Sequence, residues 1–108
     1  MDDGNRGDDY FQVTADLGVV PITVAASGEL DAGSSGELGR SIDAALAVGV
    51  DVVLDLGQVT FMDSSGLRVI MVALRRARDE GLIVRVSSTS PAVRRIFEIT
   101  GVTSLLCE

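Results

Sequence analysis

The chain has 108 residues, of which 46% are hydrophobic and 4% aromatic, and 9 basic against 16 acidic residues give a net charge of −7. This size predicts one domain with an aliphatic core, and the charge disfavours nucleic acid and anionic membranes as partners. Every basic residue is Arg, and there is no His and no Lys. These absences exclude a Ser-His or Cys-His nucleophile pair, a Schiff base and a Walker-type phosphate loop. A single cysteine, Cys107, allows no internal disulfide and no Cys/His metal cluster, so we predict no metal and no cofactor.

The two ends of the sequence and its apolar runs indicate a simple organisation. No apolar run reaches the roughly 18 residues of a membrane span, and the N-terminus is acidic where a signal peptide would be basic. We therefore expect a soluble, cytoplasmic protein. Residues 1–9 contain four aspartates and predict an acidic flexible tail. Residues 10–108 are expected to form the domain.

Hydrophobic periodicity and turn residues predict the element order β-β-α-β-α-β-α, followed by a short apolar strand or helix at residues 102–106. The first two strands are expected to form a hairpin. This order implies an α/β fold, a mixed sheet that is parallel where helices cross over. Strands are predicted at residues 10–16, 21–27, 51–56 and 83–86, and helices from Ser34 or Ser35 to Gly49, from Ser64 to Gly81 and from Pro91 to Gly101.

Two of these elements carry more detailed expectations. Residues 51–56 are continuously apolar apart from two aspartates, which predicts a strand buried on both faces. Residues 57–63 are then a connection. In the following helix, an apolar stripe is predicted at Leu67, Ile70, Met71 and Leu74.

The turn between the third strand and the second helix is the most informative segment. Ser64 is predicted at the helix N-cap or one residue from it, with Ser65 and Gly66 in the first turn. In one interpretation, Ser64 caps the helix and Asp63 favours the positive end of the helix dipole, which contributes about 1 kcal/mol of stability and nothing else. In the other, this hydroxyl accepts a phosphate, a group that helix N-termini accommodate. Gly66 has no side chain, so another backbone or a partner can approach closely.

Three motifs resemble the STAS family, whose best-known members are bacterial anti-sigma factor antagonists. Residues 61–67 (Phe-Met-Asp-Ser-Ser-Gly-Leu) resemble the family signature, and residues 28–31 (Gly-Glu-Leu-Asp) resemble the segment at the end of its second strand. Residues 90–97 (Ser-Pro-Ala-Val-Arg-Arg-Ile-Phe), with Thr-Gly-Val at 100–102, resemble its C-terminal helix and the turn after it. The motifs occur in the family's order, and the resemblance covers residues 10–106. It implies a single STAS-like domain with helices packed against a mixed sheet.

The resemblance also implies a function. In these antagonists the serine directly after the Asp, here Ser64, is phosphorylated by the anti-sigma factor, itself a serine kinase. The unphosphorylated antagonist binds that kinase and frees a sigma factor, phosphorylation separates the pair, and a metal-dependent serine phosphatase resets it. The chain is thus expected to be a binding protein in transcription regulation and the stress response. It is expected to have no catalytic residues and to be a monomer or weak dimer.

The residues expected to contact the partner surround this turn. Asp63 either orients the Ser64 hydroxyl or the kinase, or serves helix-start electrostatics alone. Ser65 is a second candidate phosphoacceptor or a packing and capping residue, and Asp31 is a partner contact or a turn aspartate. Arg68 lies one turn from Ser64, where the family often has a small residue, so its bulk is expected to alter partner choice. The predicted partner-binding residues are Asp31, Asp63, Ser64, Ser65, Gly66 and Arg68.

Three other functions are alternatives. A STAS module that serves as a scaffold or ligand sensor without phosphorylation shares the fold, and the retained Ser64 and the short chain favour the antagonist over it. A serine hydrolase is disfavoured because His and Lys are absent. A phospho-receiver domain requires a lysine and an acidic pair on its first strand, and this sequence has neither.

Overall fold

The computed structural model describes residues 10–101. Within them the predicted order of three helices and four strands is confirmed. The predicted tail at residues 1–9 and the predicted element at 102–106, together with Cys107, lie outside the described residues. The elements are β1 (Gln12–Ala15), β2 (Ile22–Leu30), α1 (Ser35–Ala47), β3 (Val52–Met62), α2 (Ser64–Asp79), β4 (Val84–Thr89) and α3 (Pro91–Thr100).

The four strands form one mixed sheet in the order β1-β2-β3-β4. β1 pairs antiparallel with β2, which confirms the predicted hairpin, and β2, β3 and β4 are parallel. At the open end of the hairpin, Gly28 has φ +90° and its absent Cβ leaves room for the Tyr10 carbonyl. Because carboxyl ends of parallel strands lie at one edge of a sheet, β2 and β3 lead into their helices side by side.

The hydrophobic core lies between the helices and one face of the sheet. Ile22 and Val24 of β2 are fully buried while Thr23 between them is exposed, and the first residues of β3 and β4 also alternate between buried and less buried positions. The core is aliphatic, and its largest fully buried side chain is Phe97 of α3. The prediction of a strand buried on both faces at residues 51–56 was wrong, because the open face of β3 leaves Asp55 only half-buried.

β3 continues to Met62, so the predicted connection at residues 57–63 was also wrong. Its register against β2 shifts twice, between Ala25 and Ser27 and between Gly28 and Glu29. A bulge adds a residue to one strand and breaks the alternation of buried and exposed positions. The strand therefore runs without interruption to the turn that carries Ser64.

The α2 helix packs its smallest side chains inward. Its buried residues are Gly66, Ile70, Ala73 and Ala77. Of the predicted stripe only Ile70 is buried, and the rest of it, Leu67, Met71 and Leu74, is half-buried at the border of the core. Small inward residues let the helix axis approach the sheet closely, which places the start of α2 directly against the ends of β2 and β3.

The helix ends follow the predicted glycines. Gly101 comes directly after α3, Gly49 and Gly81 come two residues after the ends of α1 and α2, and each of the three has a positive φ. Within residues 10–101 no helix has both the length and the apolar composition that crossing a membrane requires. The same residues contain no group of three or more acidic, His or Cys side chains placed to hold a metal ion.

Candidate functional site

Two turns meet at the carboxyl edge of the sheet. Leu30 and Met62 are the last paired residues of β2 and β3. The next residue, Asp63, donates its backbone N–H to the Leu30 carbonyl at 3.2 Å. The turn that begins at Asp31 therefore lies beside the turn that begins at Asp63.

The N-cap of α2 is Asp63. Its Oδ1 accepts hydrogen bonds from the backbone N–H of Ser65 at 2.8 Å and of Gly66 at 3.3 Å. Ser64 is the first residue of the helix. The interpretation of Ser64 as the capping residue was thus wrong, and the observed position is the other predicted one, next to the cap. Asp and Ser are both favourable N-caps, and the carboxylate here satisfies two helix-start amides at once.

The Ser64 side chain does not hold the described structure together. It is exposed, and its hydroxyl makes no hydrogen bond within residues 10–101. Ser65 is half-buried, and its backbone N–H is already bonded to Asp63. Of the two adjacent hydroxyl residues, Ser64 is the more accessible to another protein.

Gly66 is required by the packing of this chain. It is buried, and a Cβ added to it would lie 2.7 Å from Leu30 Cγ and 2.9 Å from Met62 Cγ. The space that we expected a backbone or a partner to approach is occupied by these two side chains. A direct partner contact by Gly66 remains a prediction, whereas its close packing against Leu30 and Met62 is observed.

Asp31 is engaged in its own turn. Its Oδ1 accepts from the backbone N–H of Gly33 at 3.0 Å and of Ser34 at 3.2 Å. Ser34 in turn donates its hydroxyl to the Glu29 carbonyl at 2.7 Å and accepts from the Asp31 N–H at 3.0 Å. Ser34 is the N-cap residue of α1, and its side chain bonds to this turn and not to the helix amides. These bonds support the turn-aspartate interpretation, and a partner contact by Asp31 stays a prediction.

The arginines of α2 divide into one that is paired and three that are not. Arg76 contacts Asp43 of α1 at 2.7 Å and Glu80 at 3.1 Å. Its pKa is raised further above the ordinary value, first by the hydrogen bond to Glu80 and then by the charges of both carboxylates. The other three are exposed and have no ion pair within residues 10–101; they are Arg68, Arg75 and Arg78.

An exposed line of side chains runs along α2 from the turn. Ser64, Arg68 and Val72 recur every four residues and are all exposed, with Val72 at 51%. We call these three residues the outer line of α2. Phe61 at the end of β3 is 47% exposed. Phe61 and Val72 were not among the predicted partner-binding residues. The spacing of four residues from Arg68 and eight from Ser64 could have placed Val72 on the same helix face as those two.

The fold and this turn define a small α/β domain in which a parallel strand pair presents an accessible serine at a helix start. A family model described as "Mlab, STAS domain" matches residues 13–107. The chain therefore belongs to the STAS domain family, which confirms the predicted family and fold class.

Similar proteins are anti-sigma factor antagonists. The crystal structure of an anti-sigma factor antagonist from Mycobacterium paratuberculosis matches with a TM-score of 0.78 and 26% identity over 91% of this chain and 84% of that one. The structure of the anti-sigma factor antagonist SpoIIAA in its unphosphorylated form matches in fold, with a TM-score of 0.71 and 22% identity over 90% of this chain and 85% of that one.

A third similarity is to a sequence. BtrV of Bordetella bronchiseptica, a proposed anti-sigma factor antagonist, is 39% identical over 54 residues. The aligned segment is 49% of this chain and 46% of BtrV, so the match spans about half the length of that relative.

Proposed function

We propose that this protein is an anti-sigma factor antagonist that binds a serine-kinase anti-sigma factor, releases a sigma factor and is switched off by phosphorylation at Ser64. The observation that carries the proposal is the exposed Ser64 hydroxyl, which makes no hydrogen bond within residues 10–101 and lies beside a cap that Asp63 already provides. Ser64 can change chemically without removing any bond that holds the described domain together.

The protein acts in this reaction as the phosphoacceptor. The kinase supplies ATP and Mg²⁺, the Ser64 Oγ forms a bond to the γ-phosphorus, and the bond from that phosphorus to the bridging oxygen of ADP breaks. The hydroxyl proton passes to a base of the kinase, and ADP leaves. The chain thus contributes a positioned hydroxyl, and the catalytic groups belong to its partner.

Phosphorylation would weaken binding through charge. The phosphate adds about −1.5 to −2 charges at neutral pH, directly beside the Asp63 carboxylate. Enclosing that charge in an interface requires desolvation and brings like charges together, which costs several kcal/mol. A loss of about 2.8 kcal/mol is already a hundredfold in affinity. The domain needs no change of fold for this effect.

The contact surface that this proposal uses is centred on the outer line of α2. Phe61 near the end of β3 and Val72 in α2 supply exposed apolar area, and Arg68 supplies a charge. Asp31 and Ser65 lie at the same edge of the sheet as secondary contacts. In this proposal the kinase, a serine phosphatase that resets Ser64, and the sigma factor act together in the cytoplasm in a stress response.

The phosphorylation step can be tested directly. The protein is mixed with each candidate serine-kinase anti-sigma factor from its own genome and Mg-ATP, and phosphate is located by mass spectrometry. Phosphate is expected on Ser64, absent in Ser64→Ala and retained in the matched control Ser65→Ala. If Ser65→Ala removes the phosphate and Ser64→Ala does not, the acceptor is the neighbouring serine.

The binding step needs a separate measurement. We expect Ser64→Ala to bind the partner kinase as tightly as the unmodified protein, and the phosphorylated protein to bind about a hundredfold more weakly. Ser64→Glu should fall between them because a carboxylate carries less charge than a phosphate. Equal binding by all forms would contradict the switch and favour a STAS module that binds without phosphorylation.

A further inference from the structure

Arg68 lies where it can reach a phosphate on Ser64. The two residues are four apart on α2, so their Cβ atoms are about 5–6 Å from each other on one face of the helix. Side chains on a helix lean toward its N-terminus, so the long Arg68 side chain extends over the turn that carries Ser64. Both residues are exposed, and neither has a polar side-chain partner within residues 10–101.

The other donors at this helix start are already in use. The backbone N–H groups of Ser65 and Gly66 donate to the Asp63 carboxylate. A phosphate on Ser64 would therefore find two of the helix amides occupied and a negative charge next to it. It would need another cation, and the helix offers Arg68 at the correct spacing.

The surrounding charges leave Arg68 as the available partner. Arg76, three turns away, is held by Asp43 and Glu80. Asp31, on the adjacent turn, accepts from the backbone N–H groups of Gly33 and Ser34, and Glu29 is the second-last residue of β2. These two carboxylates repel the phosphate and increase its need for a cation. On the neighbouring helix α1, the Arg40 guanidinium lies beside Gly36 in the first turn.

We propose that Arg68 pairs with the phosphate on Ser64 within the same molecule, so that phosphorylation both adds negative charge and withdraws Arg68 from the contact surface. The planar guanidinium can donate two parallel hydrogen bonds to phosphate oxygens. The proposal rests on the proposed function for the presence of the phosphate. It assigns to Arg68 a part in the switch itself, in addition to the choice of partner.

The test uses phosphoserine inserted at position 64 during translation, so that no kinase is involved. The second pKa of the phosphate, about 6 in an unperturbed phosphoserine, is followed by ³¹P NMR as a function of pH. A nearby cation favours the dianion and lowers this pKa. Arg68→Gln should therefore raise it by about half a unit, on the scale of a helical i,i+4 ion pair with a doubly charged group.

Matched variants separate this effect from general electrostatics. Arg75→Gln removes the same charge from another exposed position of α2 and should leave the phosphate pKa within about 0.1 unit, since its distance from Ser64 exceeds a Debye length. Arg68→Lys should give an intermediate value, because it keeps the charge and loses the paired hydrogen bonds. Arg40→Gln reports the contribution of α1 and should change the pKa less than Arg68→Gln.

The outcomes distinguish this inference from the proposed function. Equal pKa values in the wild-type sequence and Arg68→Gln would overturn the pairing, whether or not a kinase modifies Ser64. A larger shift in Arg40→Gln would also overturn it, because the phosphate would then be paired across the two helices. If Arg68→Gln raises the phosphate pKa as expected but no kinase phosphorylates Ser64, the proposed function is refuted and the pairing stands.

Discussion

All three described helices carry serines at their starts, and Ser64 of α2 and Ser90 before α3 differ most clearly in what their hydroxyls do. Ser90 is buried, is the N-cap of its helix and accepts a hydrogen bond from the Val93 N–H at 3.2 Å. Ser64 is exposed and follows a cap that Asp63 provides. In these two helices the serine hydroxyl is a structural element where the serine is itself the N-cap, and it is available to another protein where the preceding Asp63 provides the cap.

The largest expected effect concerns the packing of the start of α2 against the sheet. Gly66→Ala would place its Cβ 2.7 Å from Leu30 Cγ, so the helix start or the ends of β2 and β3 must shift. We expect a loss of about 2 kcal/mol in the free energy of unfolding, as is typical of an overpacked core. Denaturant unfolding measures it.

Gly36→Ala is the matched control for that substitution. Gly36 lies in the first turn of α1, is exposed, and its added Cβ would come no closer than 3.5 Å to another described atom, at Arg40. We expect this variant to be unchanged or more stable by up to about 1 kcal/mol, because Ala is the better helix former. A similar loss in both variants would mean that close packing at Gly66 is unimportant.

The contact that makes Gly66 necessary could not be derived from the sequence around it. Leu30 precedes Gly66 by 36 positions, and only the pairing of β2 with β3 brings the two together. The length of β3 could not be derived locally either. The register shifts in its pairing with β2 interrupt the alternation of buried and exposed residues from which a strand is predicted. Local signals worked where a single residue acts on its own helix, as at Ser90 and Gly101.

The identity of the α2 cap shows a second limit of local signals. Asp63 and Ser64 are both good N-cap residues and are adjacent, so propensity alone allows either. The tertiary structure decides, because the Asp63 N–H is bonded to the Leu30 carbonyl at the end of β2. That bond fixes where β3 ends and makes Asp63 the last residue before the helix.

The next effect separates the two serines directly. Ser90→Ala removes the buried cap of α3 and leaves the Val93 N–H without its partner, so we expect a loss of about 1–2 kcal/mol in the free energy of unfolding. Ser64→Ala should change it by less than about 0.5 kcal/mol, because an exposed side chain with no described hydrogen bond is replaced. Equal losses in thermal or denaturant unfolding would show that Ser64 has a structural part after all.

A smaller effect tests whether Asp63 is what keeps the Ser64 hydroxyl available. Asp63→Ala should lower the free energy of unfolding by about 1 kcal/mol, because the Ser65 and Gly66 amides lose the carboxylate that accepts their hydrogen bonds. In that background Ser64 is the nearest remaining capping side chain. We expect Ser64→Ala to cost about 0.5 kcal/mol more there than in the wild-type sequence, a coupling that a double-mutant cycle measures.

The matched cycle pairs Asp63→Ala with Ser90→Ala. Ser90 caps a different helix and shares no hydrogen bond with Asp63, so these two losses should add. If the Asp63–Ser64 pair is equally additive, Ser64 does not replace the missing cap and its availability is independent of Asp63. If the pair is coupled as expected, Asp63→Ala should also slow phosphorylation of Ser64, since the hydroxyl is then partly engaged by its own helix. Coupling together with slower phosphorylation would mean that the Asp63 carboxylate both stabilises the start of α2 and keeps the Ser64 hydroxyl available to the kinase.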